Sequence, residues 1–266
     1  MEEIYKNMKN DTRQSEGDKS LTSKYLGQAE WLAQTTHPTI SPAVRAVSML
    51  ASVKEYEGTL DALKHLFRYL KGKKDFALVK KSDNNEGLEI HSDSDWAGLF
   101  NVSLGQELRS RTGVLITYNG MPITWKSFYQ KCASTSYTPN TSGTEEEMAD
   151  VVATSSAEAE IHAASDAVKE GLHNIKYIAD ELSLDVDEKI KVGVDAGATI
   201  GFINNTGAPA RLKHISLRLA WVRQLRDHSR VVFNKVLGTE NPADFFTKIQ
   251  GYPAFKEAEE RLMIRL

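Results

Sequence analysis

Hydrophobic and polar positions change their period twice along the chain. Residues 1–20 are polar without periodicity and read as a disordered tail, taken to end at residue 21. From about 22 to 72 the spacing is helical: Ala43, Val47, Leu50 and Val53 recur on one face, as do Leu60, Leu63, Phe67 and Leu70. Ser41-Pro42 supplies an N-cap and first helical residue, and Gly72 a stop. After Asp75 the period falls to two. Strands are expected over 77–81, 87–93, Thr112–Tyr118 and Met121–Trp125, the last two joined by Asn119-Gly120, the strongest short hairpin signal. A Ser/Thr-rich, acidic stretch, 132–150, reads as a long loop or insertion. A helix from about Ser155 to Leu182 follows, with Ile161, Ala164, Val168, Leu172, Ile175, Ile178 and Leu182 along one face and Ser155 or Ser156 as its cap. Then come a strand over Lys189–Val194, a short helix over Ala198–Asn205, an amphipathic helix over Lys213–Arg226, a strand over Val231–Leu237 and a helix opening at Asn241–Lys248. This order predicts an α/β fold with a mixed five-stranded sheet flanked by helices, preceded by a helical extension over 22–84 and closed by a C-terminal helix over 251–266.

Composition narrows the class. With 41% hydrophobic and 26% charged residues the chain has enough apolar content for a packed core, which excludes wholesale disorder. No apolar run reaches the roughly 18–20 residues of a membrane helix, and the N-terminus has no signal-peptide core, so an intracellular, soluble protein with no membrane partner is expected. A lone Cys132 excludes a disulfide framework and a multi-cysteine zinc site. The net charge of -3 hides an uneven distribution. Lysines and arginines concentrate at 62–81 and 207–235, whereas Glu145, Glu146, Glu147, Asp150, Glu158 and Glu160 lie close together. Basic strips beside an acidic focus suit a metal-dependent enzyme acting on phosphodiesters.

The candidate chemistry is carboxylate. Asp93 and Asp195 each end a predicted strand, Asp244 falls in the first turn of the predicted final helix, and Glu160 sits one turn into the long helix. At about 100° per residue, Glu160 points with the apolar stripe and Glu158 about 200° away from it. Four acids brought together repel unless a cation neutralises them. Oxygen ligands without a Cys or His cluster select Mg²⁺ or Mn²⁺ over Zn²⁺. Asp95, two residues beyond Asp93, is the alternative ligand, facing the same side if the strand continues.

On these residues the C-terminal portion resembles the ribonuclease H domain of copia-type LTR-retrotransposon Pol polyproteins. The matching segments are Ser92-Asp-Ser-Asp-Trp-Ala-Gly-Leu, Arg109-Ser-Arg-Thr-Gly, Pro122-Ile-Thr-Trp-Lys-Ser, Ser155-Ser-Ala-Glu-Ala-Glu, Lys213-His-Ile and Ala243-Asp-Phe-Phe-Thr-Lys. Upstream, Tyr25-Leu-Gly, Thr35-Thr-His-Pro-Thr-Ile and Leu66-Phe-Arg-Tyr-Leu-Lys-Gly resemble the connection between reverse transcriptase and ribonuclease H. The resemblance implies a ribonuclease H-like domain over 85–250 that cleaves the RNA strand of an RNA–DNA hybrid with two Mg²⁺ ions, Mn²⁺ substituting, beside a reverse transcriptase domain. It makes Asp93, Glu160, Asp195 and Asp244 the metal ligands. Lys213, His214, Arg218, Trp96 and Arg111 become candidates for contact with nucleic acid.

Two departures keep a second class open. The stretch 132–150 stands where the family has a short link, and Ala196-Gly197 stand where it usually has Asn and a small polar residue. No Tyr-x-Asp-Asp polymerase signature is present, so polymerisation is not expected of this chain alone. The alternative is a catalytically inactive retroelement remnant that binds nucleic acid or protein.

Overall fold

The structure, a computed structural model, describes residues 16–52, 58–79, 87–96, 110–130, 135–136, 149–150, 153, 155–182, 189–205 and 216–265. Three helices come first: α1 (Glu16–Thr35), α2 (Ser41–Ser52), entered through a 3-10 turn at Pro38–Ile40, and α3 (Gly58–Lys71). A two-residue strand β1 (Phe76–Ala77) follows, then β2 (Leu88–Asp95), β3 (Arg111–Tyr118), β4 (Met121–Tyr129) and a short pair, β5 (Thr135–Ser136) with β6 (Ala149–Asp150). The remainder is α4 (Ser156–Leu182), β7 (Ile190–Val194), α5 (Gly197–Asn204), α6 (Ser216–Asp227), β8 (Val231–Lys235), 3-10 turns at Gly238–Glu240 and Asp244–Phe246, α7 (Tyr252–Leu262) and β9 (Ile264–Arg265).

The main sheet runs β4-β3-β2-β7-β8, with β2, β3 and β4 antiparallel and β7 and β8 parallel to β2. This is the mixed five-stranded sheet flanked by helices that the order of elements predicts. The β3–β4 hairpin turns at Asn119 and Gly120 with φ of 48° and 75°, the left-handed backbone that Asn-Gly tolerates. Asn119 also accepts a hydrogen bond from the Gly87 amide through Oδ1 at 2.9 Å, tying the turn to the start of β2.

One face of the sheet buries Leu88, Ile90, Val114, Ile116, Val192 and Val194 against Ala164, Ala167 and Val168 of α4. Small residues let the helix lie close: a Cβ added at Gly171 would stand 2.1 Å from Ile90 Cδ1. The opposite face carries Leu115 and Trp125 under Phe245, Phe246, Leu262 and Met263. The helical extension has its own core of Ala29, Ala33, Ile40, Val44, Val47, Leu63 and Leu66. It is fastened to the sheet domain by specific bonds. The Trp125 indole donates to Ala33 O, β1 pairs with β9, and buried Glu259 of α7 accepts from Tyr69 and Lys73 at 2.5 and 2.7 Å.

Four expectations need correction. Helix begins at Glu16, inside the stretch read as a tail to residue 21, while residues 1–15 lie outside the described residues. β2 runs to Asp95 and does not end at Asp93. The segment around Asp244 forms a three-residue 3-10 turn, and the last α-helix starts only at Tyr252, where Gly251 is its N-cap and Pro253 fits the first turn. The C-terminus continues past that helix into β9, which pairs with the extension. Of 132–150, the pair β5–β6 is described and the rest lies outside the described residues, as does Cys132.

Candidate active site

The site forms where the parallel strands β2 and β7 end. Their register pairs Ser92 with Val194, so Asp93 and Asp195 follow each other at neighbouring positions on the carboxyl edge of the sheet. The edge is also a switch point, since β2 has an antiparallel neighbour on one side and a parallel one on the other. Helix α4, capped where the Glu158 amide donates to Ser155 Oγ at 3.2 Å, delivers Glu160 to the same place. One carboxylate oxygen from each of Asp93, Glu160 and Asp195 lies within 4.8 Å of the others.

This is an expensive arrangement without a counter-charge. Asp93 is 5% exposed and Glu160 8%. Burial, then the charge of Asp195, pushes Asp93 up to about 7, against the opposing hydrogen bond from Thr247. Burial, then the charge of Asp93, pushes Glu160 up to about 8. Burial also raises Asp195 and Asp95, with the charge of Asp244 adding to each. Among the described residues, Glu160 Oε2 is buried with no hydrogen-bond partner. A buried, unpartnered oxygen on an acid gathered with two further carboxylates fits a hard divalent cation: such an ion would be held by oxygens of Asp93, Glu160 and Asp195.

Asp244 arrives on the 3-10 turn after β8. The turn is stapled to β2 twice: Asn241 donates from Nδ2 to Ser92 O at 2.9 Å, and the Thr247 hydroxyl lies 2.9 Å from Asp93 Oδ2. Gly113, paired with Asp93 across the ladder, permits this approach, since a Cβ there would sit 2.4 Å from Ala243 O. The Asp244 side chain is held at both oxygens, Oδ1 by Lys248 at 2.6 Å and Oδ2 by the Gln250 amide at 3.1 Å. Burial works against the Lys248 ammonium, but its bond to Asp244 and the charges of Asp93 and Asp95 outweigh this and raise its pKa. Asn241, Thr247, Lys248 and Gln250 were not singled out from sequence. Thr247 and Lys248 close the Ala-Asp-Phe-Phe-Thr-Lys segment, and that adjacency was the available signal.

The other candidates divide. Asp95 remains on β2, half-buried on the Asp93 side. Trp96 is 50% exposed and its indole N–H donates to Ala153 O at 2.9 Å. Arg111 is a correction. It is 2% exposed, its Nη2 donates to the Tyr129 hydroxyl at 2.7 Å and its guanidinium lies 4.9 Å from that ring centre, so it is buried and not presented at the surface. Arg218 is engaged with Asp166 at 2.6 Å. Arg223 and Arg226 of the same basic strip donate to Phe202 O and Ile203 O, satisfying carbonyls at the end of α5. Lys213 and His214 lie outside the described residues. Glu158, expected to face away from the sheet, is 3% exposed and 3.7 Å from His162.

No family model matches the chain. It is 30% identical over 238 residues to the retrovirus-related Pol polyprotein from transposon TNT 1-94 of Nicotiana tabacum, covering 90% of this chain and 16% of that protein. It is 25% identical over 237 residues to the corresponding polyprotein from transposon RE2 of Arabidopsis thaliana, covering 89% and 14%. The chain therefore spans about a sixth of the length of these two polyproteins. Among solved structures, a ribonuclease H1 isolated from compost is 16% identical, covers 65% of this chain and 97% of its own, and superposes with a TM-score of 0.39. Among the described residues no helix is long and apolar enough to cross a membrane. Over nearly all its length this chain is a homologue of one segment of the retrovirus-related Pol polyproteins of plant transposons, with a mixed five-stranded sheet at its centre.

Proposed function

We propose that the chain is a metal-dependent endonuclease of copia-type retrotransposon origin that hydrolyses the RNA strand of RNA–DNA hybrids. The observation that carries this reading is the convergence of Asp93, Glu160 and Asp195 on one point, with a buried oxygen of Glu160 left without a partner. Two Mg²⁺ ions, or Mn²⁺ in their place, would supply charge neutralisation, a metal-activated water and stabilisation of the leaving oxygen. Asp93, Glu160 and Asp195 would hold the ions, and Asp244 would join them from the stapled turn. Asn241 and Thr247 fix that turn against β2, so the backbone that carries the fourth acid is positioned in advance. Trp96 offers a stacking face for a sugar or base, and selectivity for RNA rests on its 2′-OH. Within a longer polyprotein, the helical extension would link this nuclease to a reverse transcriptase domain.

The test is incubation of the purified chain with a labelled RNA–DNA hybrid in Mg²⁺ or Mn²⁺, with duplex DNA as the specificity control. Cleavage of the RNA strand that disappears in Asp93→Asn and Glu160→Gln is the expected result. A folded protein that binds hybrid but cleaves it with neither metal would instead be an inactive, nucleic-acid-binding remnant.

A further inference from the structure

We infer that Lys248 is a latch that holds the Asp244 side chain out of the carboxylate centre, so that a second cation binds only by displacing an ammonium already in its place. The inference rests on the function proposed above. Backbone and side chain of Asp244 are treated differently by their surroundings. Its turn is fixed beside β2, through Asn241 on Ser92 O and Thr247 Oγ1 within 2.9 Å of Asp93 Oδ2 and 2.8 Å of Asp244 O. Its carboxylate is engaged elsewhere, with Lys248 on one oxygen and Gln250 on the other. Among the described residues the acids whose oxygens gather within 4.8 Å are accordingly Asp93, Glu160 and Asp195, without Asp244.

The latch is movable. Lys248 lies four residues after Asp244, its side chain is 49% exposed, and it lines a cavity of about 570 Å³ between the helical extension and α7, alongside Tyr69, Phe245 and Phe255. The ammonium can withdraw into that space without disturbing the stapled turn. While it stays, it takes one oxygen of Asp244 and repels any cation approaching the other. Three acids thus form a site ready for one ion, and the fourth becomes available only after exchange.

The experiment is calorimetric titration of the full chain with Ca²⁺, and with Mn²⁺ followed by electron paramagnetic resonance. Wild type is compared with Lys248→Met, Lys248→Arg and Asp244→Asn at constant ionic strength, without nucleic acid. Wild type should bind two ions in separated steps, and Asp244→Asn should lose the second. Lys248→Met should tighten the second step about three- to tenfold, the range expected for removing one half-exposed charge-assisted contact, with a smaller change in the first. Lys248→Arg, which keeps the contact, should retain the wild-type gap. An unchanged second step in Lys248→Met, or equal tightening of both steps, would overturn the latch and leave the metal site standing. Absence of ion binding in every variant would overturn the metal-dependent reading and the latch with it.

Discussion

Consider the stability of the chain without divalent cations as pH rises. Glu160 has a folded pKa of about 8 against an ordinary 4.5, and Asp93 about 7 against 3.8. Both folded values are raised, so the folded state retains protons that the unfolded chain has released. The stability these groups contribute is complete below about pH 4 and is lost as pH climbs through 7 and 8. Each withheld proton gives a slope of about 1.4 kcal/mol per pH unit. Two independent groups would lose about 5 kcal/mol between pH 5 and 7, but they share one repulsion, so their effects are not additive and about 2–4 kcal/mol is expected. Glu160→Gln removes its own titration and leaves that of Asp93, which burial and the charge of Asp195 raise, so it should flatten about half of the fall. Glu259, His37 and His162 have lowered pKa values and act with the opposite sign. The quantity to measure is therefore the difference between wild type and Glu160→Gln, by urea denaturation in EDTA at half-unit steps from pH 5 to 8. That difference should grow in favour of the variant with pH. Saturating Mg²⁺ should reverse it by binding wild type, worth about 2.7 kcal/mol at one hundred times the dissociation constant. A difference independent of pH, with or without metal, would refute the burial and mutual repulsion inferred for the centre.

Other expectations follow from single contacts. Gly113→Ala places a Cβ 2.4 Å from Ala243 O and 2.8 Å from Thr247 Cγ2; it should cost about 1–3 kcal/mol in urea denaturation and weaken Mn²⁺ binding, because Asp244 rides on the displaced turn. Asn241→Ala leaves a staple unmade and should cost about 1–3 kcal/mol, with a larger loss in cleavage rate than in hybrid affinity. Glu259→Ala leaves the largely buried Lys73 without its acceptor and should cost about 3 kcal/mol in thermal or urea denaturation. Trp96→Ala should weaken binding of an RNA–DNA hybrid by about 1–3 kcal/mol, read by fluorescence anisotropy, with an unchanged denaturation midpoint.

Much of this molecule follows from local pattern. The period-two runs, the Asn119-Gly120 turn and the apolar stripe of the long helix specify β2–β4 and α4, because each depends on residues near one another in the chain. Asp93, Glu160 and Asp195 were legible for the same reason: acids at the ends of apolar elements are costly, and the order of the elements brings their ends together. What sequence could not supply was which surface covers which. Arg111, in a motif that suggested phosphate contact, is sealed in against Tyr129, and Glu158, on the helix face away from the stripe, is buried as well. Helical period fixes a residue's angle around its own axis but is silent on elements arriving from elsewhere in the chain. Asp244 was read from sequence as an acid of the site, yet its 3-10 turn is held by staples to β2, a strand some 150 residues earlier, while Lys248 grips it from four residues on. Sequence determined which charges this chain must gather; only tertiary packing decided which of them stand together and which is restrained by a neighbouring lysine, because burial and repulsion are properties of the assembled fold.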